Sequence, residues 1–134
     1  KAGVSIGTLY EYFPNKDALL VALMEAHIAE GEAMLAAAGI EALRPGRALV
    51  DAVADLVRAM IDLHARDRAL HRVLFEETPL PAPVRRRLET VEREVAAAIT
   101  AWLGSHPEVR VPDPALAATL LVQTIEALTH RVVV

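Results

Sequence analysis

The stretch AGVSIGTLYEYFPNKDALL, residues 2–20, decides how this chain is to be read. It holds both tyrosines, one of the two phenylalanines, and Lys16, the sole lysine besides Lys1. Ala2-Gly3 reads as the end of a helix lying upstream, with Gly3 as a left-handed cap. Ser5 is a good N-cap, and Val4 and Leu9 form the hydrophobic staple that fixes how a helix begins. The helix is predicted from Ile6 to Phe13 and stops at Pro14, whose ring disfavours helix at the residue before it. At about 100° per residue, Ile6, Leu9 and Phe13 share one face. Gly7, Thr8 and Glu11 point away from it, and Tyr10 and Tyr12 sit on its shoulders with their hydroxyls outward. A glycine turn followed by such a helix is the second half of a helix-turn-helix. Asn15 caps the next helix and puts Lys16 in its first position. A cation there opposes the helix dipole by about 0.3–1 kcal/mol. An external anion reverses that sign, because backbone amides and Lys16 converge on it. A DNA phosphate fits; the plainer alternative is a solvated lysine.

This contiguous run resembles the DNA-reading segment of the tetracycline-repressor (TetR) family of bacterial transcription regulators. The resemblance covers the recognition helix and the start of the long helix joining it to a sensor domain. It implies that Thr8, Tyr10, Tyr12 and Lys16 touch DNA, mainly at phosphates, and that Ile6 faces the bases. Glu11 can accept from a cytosine amino group, although a solvated acid is the simpler reading. The family places two further helices upstream and usually one more downstream. The chain is therefore expected to be a fragment that binds operator DNA only as part of the full-length protein. An eight-residue reader with a central glycine is marginal by itself.

Composition agrees with an all-α body. A chain of 134 residues can bury roughly two-thirds of its unfolded surface. Apolar residues make up 54% but aromatics only 4%, so alanine, leucine and valine fill the core. No apolar run reaches the ~18 residues of a membrane span. The absence of cysteine removes disulfide and thiolate chemistry and suits a cytoplasmic location. A net charge of −4 argues against nucleic-acid binding over the whole surface. It leaves room for a confined DNA-binding headpiece.

Helical periodicity continues along the chain. A second helix is predicted from Lys16 to Ala38, with Leu20, Met24, His27, Gly31 and Leu35 on its stripe and Gly39 at its end. A loop follows at Leu43-Arg44-Pro45-Gly46. A third helix, Arg47 to Ala65, carries Leu49, Val53, Leu56, Val57, Met60, Ile61 and His64. Asp67 caps a short helix reaching Glu77, and Thr78 to Pro83 reads as a rigid linker. A fifth helix spans Val84 to Leu103, capped by Gly104. Asp113-Pro114 opens the last, ending near Arg131. This final helix is apolar on two sides, Leu116/Leu120/Ala127 and Ala117/Leu121/Ile125/Leu128, so something must cover both. One side suits the core, the other a partner subunit in a C2 homodimer.

Residues 1–15 are thus the remnant of a helix-turn-helix domain, and 16–134 form a ligand-binding and dimerisation domain. The resemblance implies a cavity for a small, largely apolar ligand. Its candidate contacts are polar or large residues on apolar stripes: Met60, His64, Phe75, Trp102, Gln123 and His130. His27 and His64 also read as hydrogen-bonded core histidines, and a buried Gln123 would need partners. His64 and His71 with Asp67 offer ligand chemistry, but Arg66, Arg68 and Arg72 crowd that segment and would repel a cation; no metal or other cofactor is expected. Arg85-Arg86-Arg87, followed by Glu89, Glu92 and Glu94, reads as a solvated face with i, i+4 pairs. Ser5 and Ser105-His106 lack a third partner, so no catalytic residue is assigned. The function expected is a repressor that leaves its operator when ligand binds. The alternative is a helical ligand-binding and dimerisation module without DNA-binding activity.

Overall fold

The computed structural model describes residues 3, 5–42, 44–66 and 68–133. They form helices α1 (Ile6–Tyr12), α2 (Lys16–Ala42), α3 (Leu49–Ala65), α4 (Arg68–Phe75), α5 (Ala82–Ser105) and α6 (Pro114–Val133), with no strand among the described residues. The all-α expectation holds, and several boundaries move. Gly39 and Gly104 lie inside α2 and α5 rather than ending them. Neither has a positive φ; that conformation falls to Gly3 and Gly46. Ile40, Glu41 and Ala42 continue α2 past Gly39, at a cost of about 1 kcal/mol for the glycine relative to alanine, while Ser105 alone follows Gly104 in α5. The rigid linker is shorter than predicted, because α5 starts with Pro81 at its N-cap and Pro83 in its first turn. Proline is tolerated there, where amides have no intrahelical acceptor.

Local caps behave as their residue types demand. Ser5 Oγ accepts from the Thr8 amide at 3.1 Å and Asn15 Oδ1 from the Ala18 amide at 2.8 Å. Asp113 Oδ1 takes the amides of Ala115 and Leu116, each at 3.0 Å. Val4, Leu43 and Asp67, invoked for the staple, the loop and the cap of α4, lie outside the described residues. The start of α3 has no side-chain cap of its own. Glu108, in the α5–α6 loop, accepts the Leu49 amide at 3.0 Å instead.

The long α2 packs against α3, α4 and α5, while α6 packs against α5 and α3. One core cluster joins α2, α4 and α5 through Met24, Ile28, Leu74 and Val84, with Leu20, Val21 and Leu88 against it. Burying a side chain the size of Leu74 contributes about 1.5–3 kcal/mol. Gly31 marks a close crossing of α2 and α3: a Cβ there would sit 3.3 Å from Leu63 Cδ2. Ile61, assigned to the apolar stripe of α3, lies at its exposed edge, whereas Ala52, Leu63 and His64 are buried. The arginine run also departs from an intrahelical ladder, since Arg87 pairs with Glu32 of α2 at 2.6 Å.

The last helix is covered on one side only. Ala118, Ile125, Thr129 and Val133 are buried. Leu116, Leu120, Leu128 and Val132 are 55–77% exposed. Leu128 therefore belongs with the Leu116/Leu120/Ala127 side, not with the core.

Candidate functional site

Two places in the fold carry chemistry. The first is the surface around α1. Ser5 starts that helix by capping it, and its Oγ also lies 2.9 Å from Thr8 Oγ1. Phe13 ends it, donating its amide to the Leu9 carbonyl at 2.9 Å. No residue of α1 is buried, and Ile6, Tyr10 and Tyr12 are 76%, 55% and 76% exposed. Lys16 is exposed at the first position of α2, beside Asp17, which offsets part of the local positive potential. Tyr10 and Tyr12 are thus exposed on α1 and Lys16 at the capped start of α2, with Thr8 half-buried in the first turn of α1. Amides, hydroxyls and one ammonium in such a setting suit phosphate oxygens.

The second place is a cavity of about 370 Å³ bounded by α2, α3, α4, α5 and α6. Its wall is mainly aliphatic, with Met60, Leu63, Val95 and Ile125 among the contributors. Four histidines from four helices line it: His27, His64, His71 and His130. Ring centroids are 4.5 Å apart for His64 and His71, 5.0 Å for His27 and His71, and 5.0 Å for His64 and His130. Phe75 stacks on His71 at 4.9 Å. His64 Nδ1 lies 2.8 Å from the Met60 carbonyl, an acceptor, so this nitrogen carries the proton and Nε2 keeps its lone pair. His71 is buried, and its Nδ1 has no hydrogen-bond partner among the described residues.

Desolvation lowers the pKa of all four rings, with repulsion among the imidazoles adding to it at His27, His64 and His71. For His71 burial, then His64, His130 and His27, bring the value to about 3. The Met60 hydrogen bond and Glu126 act the other way on His64, as Glu76 does on His130. The cluster is therefore neutral at pH 7. Acidic residues border it: Glu32, Glu89, Glu92 and Glu126 line the same cavity, against Arg85 alone of the opposite sign among the described lining residues. Burial, then Glu126 and Glu89, raise the pKa of Glu92.

Of the ligand contacts expected from sequence, Met60, His64, Phe75 and His130 line this cavity. Trp102 lines an adjoining one of about 440 Å³, which shares Leu35, Leu56, Val95 and Ile99 with the first. Gln123 must be corrected: it is exposed, on the outer side of α6 with Leu116, Leu120 and Ala127, and lines neither cavity. The sequence reading groups it with His130, but His130 sits seven residues on, across the boundary between outer and inner faces. His27 and His71 are the site residues it misses as a pair. The sequence signals were His27's position on the apolar stripe of α2 and the seven-residue spacing of His71 from His64. The two serines serve locally, Ser5 as a cap and Ser105 donating to the Trp102 carbonyl at 3.0 Å.

The described residues form a five-helix body, α2 to α6, preceded by the short exposed helix α1. Residues 1–23 match the family model described as bacterial regulatory proteins, tetR family, and residues 48–134 match that of the tetracyclin repressor-like C-terminal domain. The chain belongs to the TetR family, whose domains mark it as a DNA-binding transcriptional regulator. No curated protein and no solved structure matched it. Among the described residues, no helix is long and apolar enough to cross a membrane.

Proposed function

We propose that the protein is a cytoplasmic, homodimeric repressor whose hold on operator DNA is released when a small, largely apolar ligand enters the cavity among α2, α3, α5 and α6. The observation that carries this reading is the continuity of α2. It begins at Lys16, beside the reader, and places His27, Ile28, Gly31 and Leu35 in the cavity wall. Eleven residues of α-helix separate Lys16 from His27, about 16 Å at 1.5 Å per residue. Over that distance a packed helix moves as a rigid lever, so a tilt at the cavity becomes a displacement at the reader. In a two-fold dimer the readers must meet successive major grooves about 34 Å apart. A ligand that binds better to a differently spaced form depletes the DNA-competent one.

The mainly aliphatic wall supports an apolar ligand body, with the histidine end and glutamate rim as its polar contacts. Support for the dimer comes from the exposed leucines of α6, which form an apolar face larger than scattered surface residues require. Leu120→Glu should convert the dimer to monomer in light scattering while circular dichroism stays unchanged. An unaltered dimer would place the interface elsewhere.

The DNA assignment is tested on the full-length protein. Lys16→Ala and Tyr10→Phe should each weaken operator binding in gel shift. Lys16→Ala should also reduce the slope of log affinity against log salt by about 1, the mark of one lost phosphate contact. Unchanged affinity and slope in both variants would reject Lys16 and Tyr10 as contacts. Absence of any specific DNA binding by the unmodified full-length protein would favour a ligand-binding module instead.

A further inference from the structure

The histidines in the cavity wall have a property that an apolar ligand does not explain. His27, His64 and His71 each bring a ring nitrogen to within 4.8 Å of the other two. They come from α2, α3 and α4, so no single helix's periodicity creates the arrangement. We propose that these three histidines bind one divalent first-row transition ion of the zinc type at the inner end of the cavity. The idea goes beyond control by an organic ligand and does not depend on it.

The donor set fits such an ion. Imidazole suits zinc, cobalt, nickel and copper, and three histidines leave further coordination positions for water or a bound molecule. The Nδ1–H of His64 is held by the Met60 carbonyl at 2.8 Å, which fixes the ring and presents Nε2. Metal-binding histidines are ordinarily oriented this way by their second nitrogen. His71 supplies an independent observation. It is 4% exposed, and its buried Nδ1 lacks a hydrogen-bond partner among the described residues. Leaving such a group unpaired costs about 1–3 kcal/mol, which a bond from that nitrogen to a metal would recover.

Geometry demands only a small adjustment. Tetrahedral Zn–N bonds of about 2.0–2.1 Å place ligand nitrogens about 3.3 Å apart. From separations of no more than 4.8 Å, the nitrogens need to close by at most about 1.5 Å, within reach of side-chain rotation beside an open cavity. The arginines do not oppose this. Arg66, Arg68 and Arg72 are exposed, and Arg66 pairs with Glu30 at the surface. Glu89, Glu92 and Glu126 instead give the lining a negative balance that suits a dication. Once bound, the ion ties α2, the helix that begins at Lys16, to α3 and α4.

Titration of chelator-treated protein with Co²⁺ and Zn²⁺ tests the site without DNA or organic ligand. One equivalent of Co²⁺ per chain should bind with visible d–d absorption and be displaced by Zn²⁺. X-ray absorption of the zinc form should show scattering from about three imidazoles, a measurement that needs no variant. His27→Ala and His71→Ala should each weaken binding by more than about 100-fold, the upper end of what losing even an outer-shell partner costs. His106→Ala, outside the cluster, should leave it unchanged. Absence of stoichiometric binding at micromolar protein, a zinc spectrum without imidazole scattering, or binding that survives His27→Ala and His71→Ala would each overturn the proposal.

Discussion

The reader end and the histidine-lined cavity are built on opposite principles. Around α1, the hydrogen bonds seen among the described residues are local. Ser5 holds the Thr8 amide, Phe13 closes on Leu9, Asn15 holds Ala18, and no residue of α1 is buried. In the cavity almost nothing is local. His27, His64, His71 and His130 come from four different helices, and they meet only because those helices converge. A surface for a polyanion needs exposed donors on a defined helix, and capping supplies that cheaply. A ligand or ion site needs desolvated groups converging from several directions, which only packing provides.

That contrast can be broken first in the core. Leu74, in the cluster joining α2, α4 and α5, is 1% exposed. Leu74→Ala should cost about 2–5 kcal/mol in denaturant unfolding and leave the capped reader chemistry unaltered. A loss below about 1 kcal/mol would mean the cluster of α2, α4 and α5 is loosely packed.

The next effect is that of acid on metal-free protein. The folded-state pKa of all four cavity histidines is lowered, to about 3 for His71. The unfolded chain takes up protons as pH falls through about 6.5, while the folded cluster resists them, so stability must drop as pH falls. For His71 alone the loss between pH 6.5 and pH 5 is on the order of 2 kcal/mol. Unfolding free energies measured at pH 7.5 and pH 5 check this, and His71→Ala should flatten the slope. Equal acid sensitivity in that variant would assign the effect to other groups.

The smallest expected effect is at the reader. Ser5→Ala removes the cap of α1 and should cost about 1 kcal/mol of local helix stability. Because no residue of α1 is fully buried, amide exchange within Ile6–Tyr12 should accelerate while the global melting temperature stays where it was. A matching fall in the global melt would show that α1 is coupled to the core after all.

The helices themselves were largely readable from sequence, because 3.6-residue periodicity and residues such as Ser5, Asn15 and Asp113 act within a few positions of themselves. Errors arose where neighbours override a local rule. Gly39 looks like a helix end, yet α2 runs on to Ala42, whereas α5 ends at Ser105, one residue past Gly104. The cap of α3 has no local signal, since Glu108 reaches the Leu49 amide from 59 residues away. Gln123 looks buried because its neighbours at helical spacing are leucines, but those leucines face outward.

The candidate site divides in the same way. Tyr10, Tyr12 and Lys16 were identifiable as surface chemistry because their exposure follows from a short capped helix. His64 and His71, seven residues apart, hinted at a metal, and the nearby arginines argued against one. That objection weighs chain proximity, whereas the structure turns those arginines to solvent and brings in His27 from α2.

The amino-acid order alone determined the all-α class, the principal caps, the family and the exposure of Tyr10, Tyr12 and Lys16, since each rests on interactions spanning a turn or two of helix. Only the packed structure decided which face of α6 stays open, what caps α3, and which imidazoles meet. Those outcomes depend on how helices cross, for instance on Gly31 letting α2 approach Leu63. A crossing is settled by the joint fit of many side chains, information that no single segment contains.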